Sequence, residues 1–195
     1  MTMPTAAQAV LDFWFGRAGT PGHAQERPEW FVTNTAFDAE IGQRFGALIE
    51  QACAGALRGW MDAPPAALAR ILLLDQFTRN VYRDTPRAFA GDALALEAAC
   101  RLVSQAQDET LAPLQRAFVY LPFEHAEDLP AQQESVRLFT RLSAGHPGIE
   151  GMLDYALRHR EVIERFGRFP HRNAILGRPS TPEEVAFLEQ PGSRF

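Results

Sequence analysis

Apolar residues recur three and four positions apart along nearly the whole chain, which is the spacing of one face of an α-helix. The β-branched runs and Asn-Gly pairs that mark strands and hairpins are missing. We therefore predict an all-α fold, and we expect residues 1–195 to form a single domain. Short connections between helices favour antiparallel neighbours. Periodicity alone allows a solenoid of helical hairpins or a compact bundle, because no clean tetratricopeptide period is present.

Residues that start and stop helices set the predicted limits. We expect Gly16 and Gly167 to end the helices before them, Asp62 to cap the third helix, and Thr181 with Glu184 to form a capping box at the last. The predicted helices are Thr5–Phe15, Asn34 or Thr35 to near Gly59, Ala66–Tyr82, Asp92–Gln105, Pro113–Glu127, Pro130–Leu142, a helix that follows Pro147 and reaches Arg165, and a short helix through Leu188.

The composition excludes several classes of function. All 19 basic residues are arginines, so chemistry that needs a lysine Schiff base or a lysine general base is excluded. A net charge of -5 argues against nonspecific binding to nucleic acid, which requires a basic surface. No window has the length of a membrane span, and the N-terminus has no basic region before an apolar stretch. We expect a cytoplasmic protein with no nucleic-acid or membrane partner and no cofactor.

The two cysteines lie far apart, each in an alanine-rich apolar setting. Cys53 stands in QACAGAL and Cys100 in LEAACRLV. This setting is typical of small buried residues, so we expect free, inert thiols in the core.

The first polar segment covers residues 72–89, LLLDQFTRNVYRDTPRAF. On a helix Asp75 and Arg79 lie one turn apart, and so do Gln76 and Asn80. These pairs are either surface contacts worth about a few tenths of a kcal/mol each or part of a site. The aromatic neighbours in the segment favour partial burial.

The second polar segment covers residues 118–133, FVYLPFEHAEDLPAQQ. Pro122 interrupts an apolar helix and should bend it, because proline removes one backbone hydrogen bond. Glu124 and Asp128 lie on one helix face, and Asp128 could hold the imidazole of His125 in one tautomer. The zinc-protease HExxH spacing is missing, so we assign no metal site.

The third polar segment covers residues 165–181, RFGRFPHRNAILGRPST, and is rich in arginine. That many guanidinium groups cannot leave water unless each finds an anionic or carbonyl partner. We expect Arg168 to Asn173 to form a turn that projects side chains rather than burying them. The arginines either pair with the carboxylates of Glu124, Glu127, Asp128 and Asp75, or remain available for an external carboxylate or phosphate.

The whole chain resembles a known family at these segments and at VLDFWFG, residues 10–16. The strings LLLDQFTRNVYR, YLPFEHAEDLPAQQESV and RFGRFPHRNAILGRPSTPEE are similar to those of the bacterial domain of unknown function family numbered 924. Thr78 is a small departure, since a proline is associated with that position. The resemblance implies a tetratricopeptide-like stack of antiparallel helical hairpins, and it carries over no catalytic residue.

Our leading hypothesis is that the three segments form one concave pocket that binds a small anionic molecule or an acidic peptide terminus. Arg79, Arg168 and Arg172 would contact the anion, while His125 and His171 would exchange a proton near neutral pH. The predicted ligand-binding residues are Asp75, Gln76, Arg79, Asn80, Asp128, Arg168, Arg172 and Asn173.

Two alternatives belong to other functional classes. A hydrolase or lyase would use Glu124 or His125 as general base, with His171 as a further catalytic candidate and Arg172 stabilising negative charge. A helical protein-interaction scaffold would instead present exposed aromatic residues to a partner. For that role the candidates are Trp14, Trp30 and Trp60, although Trp14 has the setting of a core residue. The sequence leaves the oligomeric state open.

Overall fold

The structure, a computed structural model, describes residues 3–21, 23, 25–146 and 148–193. Over these residues it is α-helical with short 3-10 turns and has no strand, which confirms the all-α prediction. Its helices are α1 (Thr5–Phe15), α2 (Thr35–Cys53), α3 (Pro64–Leu72), α4 (Thr78–Val81), α5 (Asp92–Ser104), α6 (Pro113–Glu124), α7 (Leu129–Gly145), α8 (Glu150–Phe166) and α9 (Pro182–Leu188). None of the helices in these ranges is long and apolar enough to cross a membrane.

The chain divides into two compact units, residues 1–83 with 87–122 and residues 84–86 with 123–195. Two statements about the fold are still predictions: that the helices stack as in tetratricopeptide repeats, and that they form a single domain.

Local sequence sets most helix ends. The Asn34 side chain accepts hydrogen bonds from two amides in the first turn of α2, as predicted for a cap. The prediction that α2 reaches Gly59 is wrong, because the chain leaves the helix after Cys53 and turns at Gly55 with φ +79°. Asp62 does not cap α3. The cap position is Ala63, and the following Pro64 has no amide hydrogen to satisfy.

A π-helical turn, Leu73–Phe77, joins α3 to α4 within the helix predicted for this region. The wider turn leaves room for the Thr78 hydroxyl to donate to the Leu74 carbonyl at 2.8 Å. Gly91, at the start of α5, packs directly on this turn. A Cβ at Gly91 would stand 2.1 Å from the Leu74 oxygen, so only glycine fits there.

Stacked and edge-on aromatic rings fill the core of the first unit. Trp14, Phe77 and Phe118 are fully buried, with ring centroids 5.3 Å apart for Trp14 and Phe77 and 5.6 Å apart for Trp14 and Phe118. Trp30 and Trp60 are buried as well. The tryptophans are therefore core residues, and the scaffold hypothesis loses the exposed rings on which it depended.

The cysteine prediction is partly wrong. Among the residues described, neither cysteine forms a disulfide, but Cys53 is half-buried and Cys100 is exposed. Cys100 lies on the solvent side of α5, whose buried side carries Ala95, Ala99 and Leu102. An alanine-rich stretch does not by itself indicate which side of a helix faces the core.

In the second unit α7 and α8 form a helical hairpin. Gly167 ends α8 with φ +68°, as predicted, and Val162, Ile163 and Phe169 form a buried apolar cluster. The helix expected after Pro147 begins at Glu150, and Pro147 itself lies outside the described residues. At α9 the predicted capping box of Thr181 and Glu184 is present.

Candidate functional site

The polar residues of the first segment bind one another inside the first unit. Asp75 is fully buried, and the Arg79 guanidinium lies 3.2 Å from its carboxylate. Arg79 also donates to both oxygens of Asp92, at 2.8 and 3.0 Å. Gln76 donates its amide to Asp75, and Asn80 donates its amide to Asp38 at 2.7 Å. The pair Asp75–Arg79 is therefore a buried ion pair rather than a surface contact.

Three arginines of the third segment pair with carboxylates of the second unit. Arg168 binds Glu184 through two parallel hydrogen bonds of 2.7 and 2.9 Å, and Arg178 binds Glu127 in the same way at 2.6 and 2.8 Å. Arg165 pairs with the exposed Glu183 at 2.8 Å. These contacts give the segment the internal anionic partners that its guanidinium groups require.

Two carboxylates in this network have lowered pKa values. Hydrogen bonds from Arg168 lower the pKa of Glu184 to about 2. Burial alone would raise the pKa of Glu127, but the hydrogen bonds from Arg178 and from the Phe169 amide outweigh burial and lower it. Both carboxylates are therefore ionised at neutral pH and hold their arginines in place.

The turn from Arg168 to Asn173 buries side chains, so the prediction that it projects them is wrong. Phe169, Arg172 and Asn173 are buried. Phe169 belongs to the apolar cluster formed with residues of α8, and this packing draws the 3-10 turn inward. The Asn173 amide donates to Glu184 at 3.3 Å, while its carbonyl accepts from Arg178 at 3.0 Å.

Three imidazoles and the ring of Phe169 form a row of neighbouring rings. We call His125, His159, His171, Arg172 and Phe169 the histidine cluster. Ring centroids lie 6.2 Å apart for His125 and His159, 5.4 Å apart for His159 and Phe169, and 5.6 Å apart for Phe169 and His171. The Arg172 guanidinium carbon lies 4.5 Å from the centroid of Phe169. The cluster therefore places three imidazole rings close to a buried positive charge.

A buried carboxylate lies beside the cluster. Glu124 Oε1 is 3.2 Å from Nδ1 of His159, and both side chains are almost fully buried. The same Nδ1 lies 2.8 Å from the carbonyl of Tyr155, which can only accept a hydrogen bond, so Nδ1 carries a proton. In the neutral imidazole Nε2 is then the basic nitrogen.

Burial keeps His159 neutral. Loss of water around the ring, assisted by His125, Arg172 and His171, lowers its pKa to about 3, although the bond to Tyr155 acts in the opposite direction. At neutral pH His159 therefore adds no positive charge beside Arg172.

The turn between α6 and α7 positions Glu124 and His125. The amide of Gln132, on α7, donates to the carbonyl of Ala126 at 2.8 Å and also to that of Glu124. Asp128 caps α7 by accepting from the Ala131 amide at 3.0 Å. These contacts fix the end of α6 in one conformation.

The structure brings the second and third segments together in the second unit. Arg172 donates to the backbone carbonyl of His125 at 3.0 Å, and Arg178 reaches Glu127. Asp75, Gln76, Arg79 and Asn80 belong to the first unit. Within the described ranges, no group of three or more His, Cys, Asp or Glu side chains is arranged to hold a metal ion.

Sequence reasoning missed His159. It lies on the buried stripe of α8, where Met152, Ala156 and Ile163 recur at helical spacing. The sequence does contain a signal for this residue. A histidine that occupies a position on an otherwise apolar helix face, three residues before another apolar residue of that face, indicates a buried imidazole.

A comparison with protein families identifies the family of the chain. The family model described as bacterial protein of unknown function (DUF924) matches residues 10–192. The solved structure of the protein of unknown function ATU0120 from Agrobacterium tumefaciens is 40% identical in sequence, with a TM-score of 0.81, and the match covers 94% of this chain and 96% of that chain. The comparison with curated proteins found no match. The chain therefore belongs to the DUF924 family of bacterial proteins.

Proposed function

We propose that the second unit binds a small carboxylate- or phosphate-bearing molecule at the histidine cluster. The observation that carries the proposal is the grouping of three of the five histidines of the chain: His159 and His171 contact the ring of Phe169, His125 contacts His159, and the buried guanidinium of Arg172 lies on Phe169. A buried positive charge next to imidazole groups that can donate hydrogen bonds is suited to binding an anion.

Internal carboxylates hold the other arginines of the predicted site. Arg168 and Arg178 each make two parallel hydrogen bonds to a carboxylate, and Arg79 is held by Asp75 and Asp92. Arg172 lies against the ring of Phe169, donates to the backbone carbonyl of His125, and helps to lower the pKa of Glu127. These contacts with the histidine cluster make Arg172 the proposed anion contact, with His125 and His171 at its side.

Histidine exposure also supports this arrangement. His159 is buried, whereas His125 and His171 are only partly buried and can reach solvent or a ligand. His159 would set the position of its neighbours, and the two partly exposed rings would contact the anion. A carboxylate or phosphate bound there would favour protonated His125 and His171, since an opposite charge raises the pKa of an imidazole.

Thermal unfolding in the presence of acetate or inorganic phosphate tests the proposal. A ligand at a hundred times its Kd adds about 2.7 kcal/mol to the free energy of unfolding. We expect saturable stabilisation of the wild-type protein that Arg172→Gln removes. Arg165→Gln is the matched control, because Arg165 lies in the same segment and pairs with an exposed carboxylate outside the cluster. Equal stabilisation of both variants would contradict the proposal.

A second candidate function is a hydrolase or lyase that acts at the same cluster. It is favoured by the 3.2 Å contact between Glu124 and Nδ1 of His159, which fixes a carboxylate next to the ring that contacts His125. The candidate bases are Glu124 and His125, because burial lowers the pKa of His159 to about 3 and makes it a weak base at neutral pH. Turnover of an ester, phosphate or amide substrate that His125→Gln abolishes and His146→Gln preserves would support it. A substrate panel without turnover by the wild-type protein would exclude these substrate classes.

A further inference from the structure

A cleft of about 440 Å³ lies between α1 and α2 in the first unit, and the function proposed above does not use it. We call it the α1–α2 cleft. Its volume is within the range of small-molecule sites. The lining side chains that matter for recognition are Asp12, Phe13, Arg27, Phe37, Glu40 and Arg44.

Two phenyl rings form the apolar wall of the cleft. Phe13 on α1 and Phe37 on α2 are stacked, with centroids 5.1 Å apart and planes 15° apart. Phe37 is buried, whereas Phe13 is partly exposed. Phe37 covers one side of Phe13 and the Arg44 guanidinium lies over its ring, so the partly exposed part of Phe13 offers a ligand an apolar edge to pack against.

Two guanidinium groups lie on these rings. The Arg44 guanidinium carbon is 4.8 Å from the centroid of Phe13, and that of Arg27 is 5.4 Å from the centroid of Phe37. Arg27 is held by the carbonyl of Phe13 at 2.8 Å. Arg44 donates to Glu40 through Nη1 at 2.7 Å, and among the residues that the structure describes its Nε and Nη2 have no hydrogen-bond acceptor.

Three arginines and two carboxylates line the cleft. Arg17, Arg27 and Arg44 are the cations, and Asp12 and Glu40 are the anions. Two further contacts are loose, since Arg17 lies 3.9 Å from Asp12 and Arg27 lies 3.9 Å from Glu29 outside the lining. The N–H groups of Arg44 that lack an acceptor favour a planar anion that accepts two parallel hydrogen bonds.

We propose that the α1–α2 cleft binds a small aromatic carboxylate. The carboxylate accepts hydrogen bonds from Nε and Nη2 of Arg44, and the aromatic ring packs against Phe13. A neutral aromatic compound lacks the charge, and a phosphate ion lacks the ring, so both bind more weakly. The site is separate from the histidine cluster in its residues and in the chemistry that it selects.

Titration of the full chain with benzoate, followed by calorimetry and by saturation-transfer NMR, tests the proposal when the chain carries Arg172→Gln, because this change removes the anion contact of the histidine cluster. We expect saturable binding of benzoate with a Kd of about 1 mM or below. Cyclohexanecarboxylate, benzamide and inorganic phosphate, which each lack one of the two features, should bind at least about tenfold more weakly. Equal binding of benzoate and phosphate, or no saturable binding of benzoate, would overturn the proposal.

Variants separate the cleft from general charge effects. Arg44→Gln and Phe13→Leu should each weaken benzoate binding about tenfold or more. Arg158→Gln is the matched control, because Arg158 also pairs with a carboxylate four residues away and stacks on an aromatic ring, but on α8. These variants are compared in the Arg172→Gln background, so that benzoate bound at the histidine cluster does not contribute. A loss of binding in Arg158→Gln, or none in Arg44→Gln, would contradict the assignment. Circular dichroism confirms that each variant is folded.

Discussion

Glu124 and His159 place a carboxylate oxygen and an imidazole nitrogen 3.2 Å apart in the interior of the second unit. The imidazole is nonetheless neutral, because burial, assisted by His125, Arg172 and His171, lowers its pKa more than the hydrogen bond to Tyr155 raises it. The pair therefore orients a basic nitrogen without adding a positive charge, and it makes the stability of the protein depend on pH.

Acidification should destabilise the protein through His159. Its pKa is lowered from 6.5 to about 3 on folding, so the unfolded chain takes up the proton first. The stability contribution is complete above about pH 6.5 and is lost as the pH falls toward 3. Between pH 7.5 and 5.0 the free energy of unfolding should fall by about 2 kcal/mol from this residue. Urea unfolding at both pH values measures the change.

The variant His159→Asn should abolish this dependence, while His146→Asn should keep it. Glu184 does not interfere in this window, because its lowered pKa affects stability only below its ordinary value of 4.5. The same pH dependence in His159→Asn as in the wild-type protein would show that another group is responsible.

Glu184→Gln should lower the free energy of unfolding by about 2–3 kcal/mol. Glu184 is buried and accepts hydrogen bonds from Arg168, Asn173 and the Thr181 amide, and its loss leaves these donors poorly satisfied. The neighbouring Glu183→Gln removes only an exposed ion pair, so its effect should stay below about 1 kcal/mol. Chemical denaturation of both variants makes the comparison, and equal effects would exclude a special role for Glu184.

Sequence and structure agree where a feature depends on neighbouring residues. The capping box at Thr181 and the end of α8 at Gly167 follow from contacts within a few residues, and both were predicted. The π-helical turn at Leu73–Phe77 was not predicted, because one extra residue in a helical turn barely changes the spacing of the apolar residues.

The partners of charged residues were harder to predict, because they depend on how distant segments pack. The sequence supplies many carboxylates of equal chemistry, and nothing local distinguishes Glu184 as the partner of Arg168, sixteen residues away. The pairing of Glu127 with Arg178 spans 51 residues, and the sequence indicates Glu127 only as one of several possible partners of the arginines. The residue types therefore indicated which groups could belong to the site, but the sequence did not indicate which arginine pairs with which carboxylate.

Gly91→Ala should lower the free energy of unfolding by about 3 kcal/mol or more. A new Cβ would stand 2.1 Å from the carbonyl oxygen of Leu74 and 2.9 Å from its Cα, and these backbone atoms cannot move without breaking the π-helical turn. Gly46→Ala, in the middle of α2, meets no atom within 4 Å and should raise stability by about 0.5–1 kcal/mol. Thermal denaturation of the two variants should give shifts of opposite sign; a Gly91→Ala protein as stable as wild type would be inconsistent with the close contact.

Arg79→Met should cost about 3–5 kcal/mol, because it leaves the buried carboxylate of Asp75 without its cation. Arg158→Met is the control, since the Arg158–Asp154 pair has the same spacing of four residues but is exposed, and it should cost less than about 1 kcal/mol. Urea denaturation compares them. Similar losses in both would place the Asp75–Arg79 pair among surface contacts.

The anion site is tested most directly by an NMR titration that observes the imidazole protons of the wild-type protein as inorganic phosphate is added at constant pH and ionic strength. The histidine cluster predicts saturable shifts at His125 and His171, with little change at His23 and His146, which lie outside it. Equal shifts at all of these histidines, or none at His125 and His171, would contradict binding at the cluster.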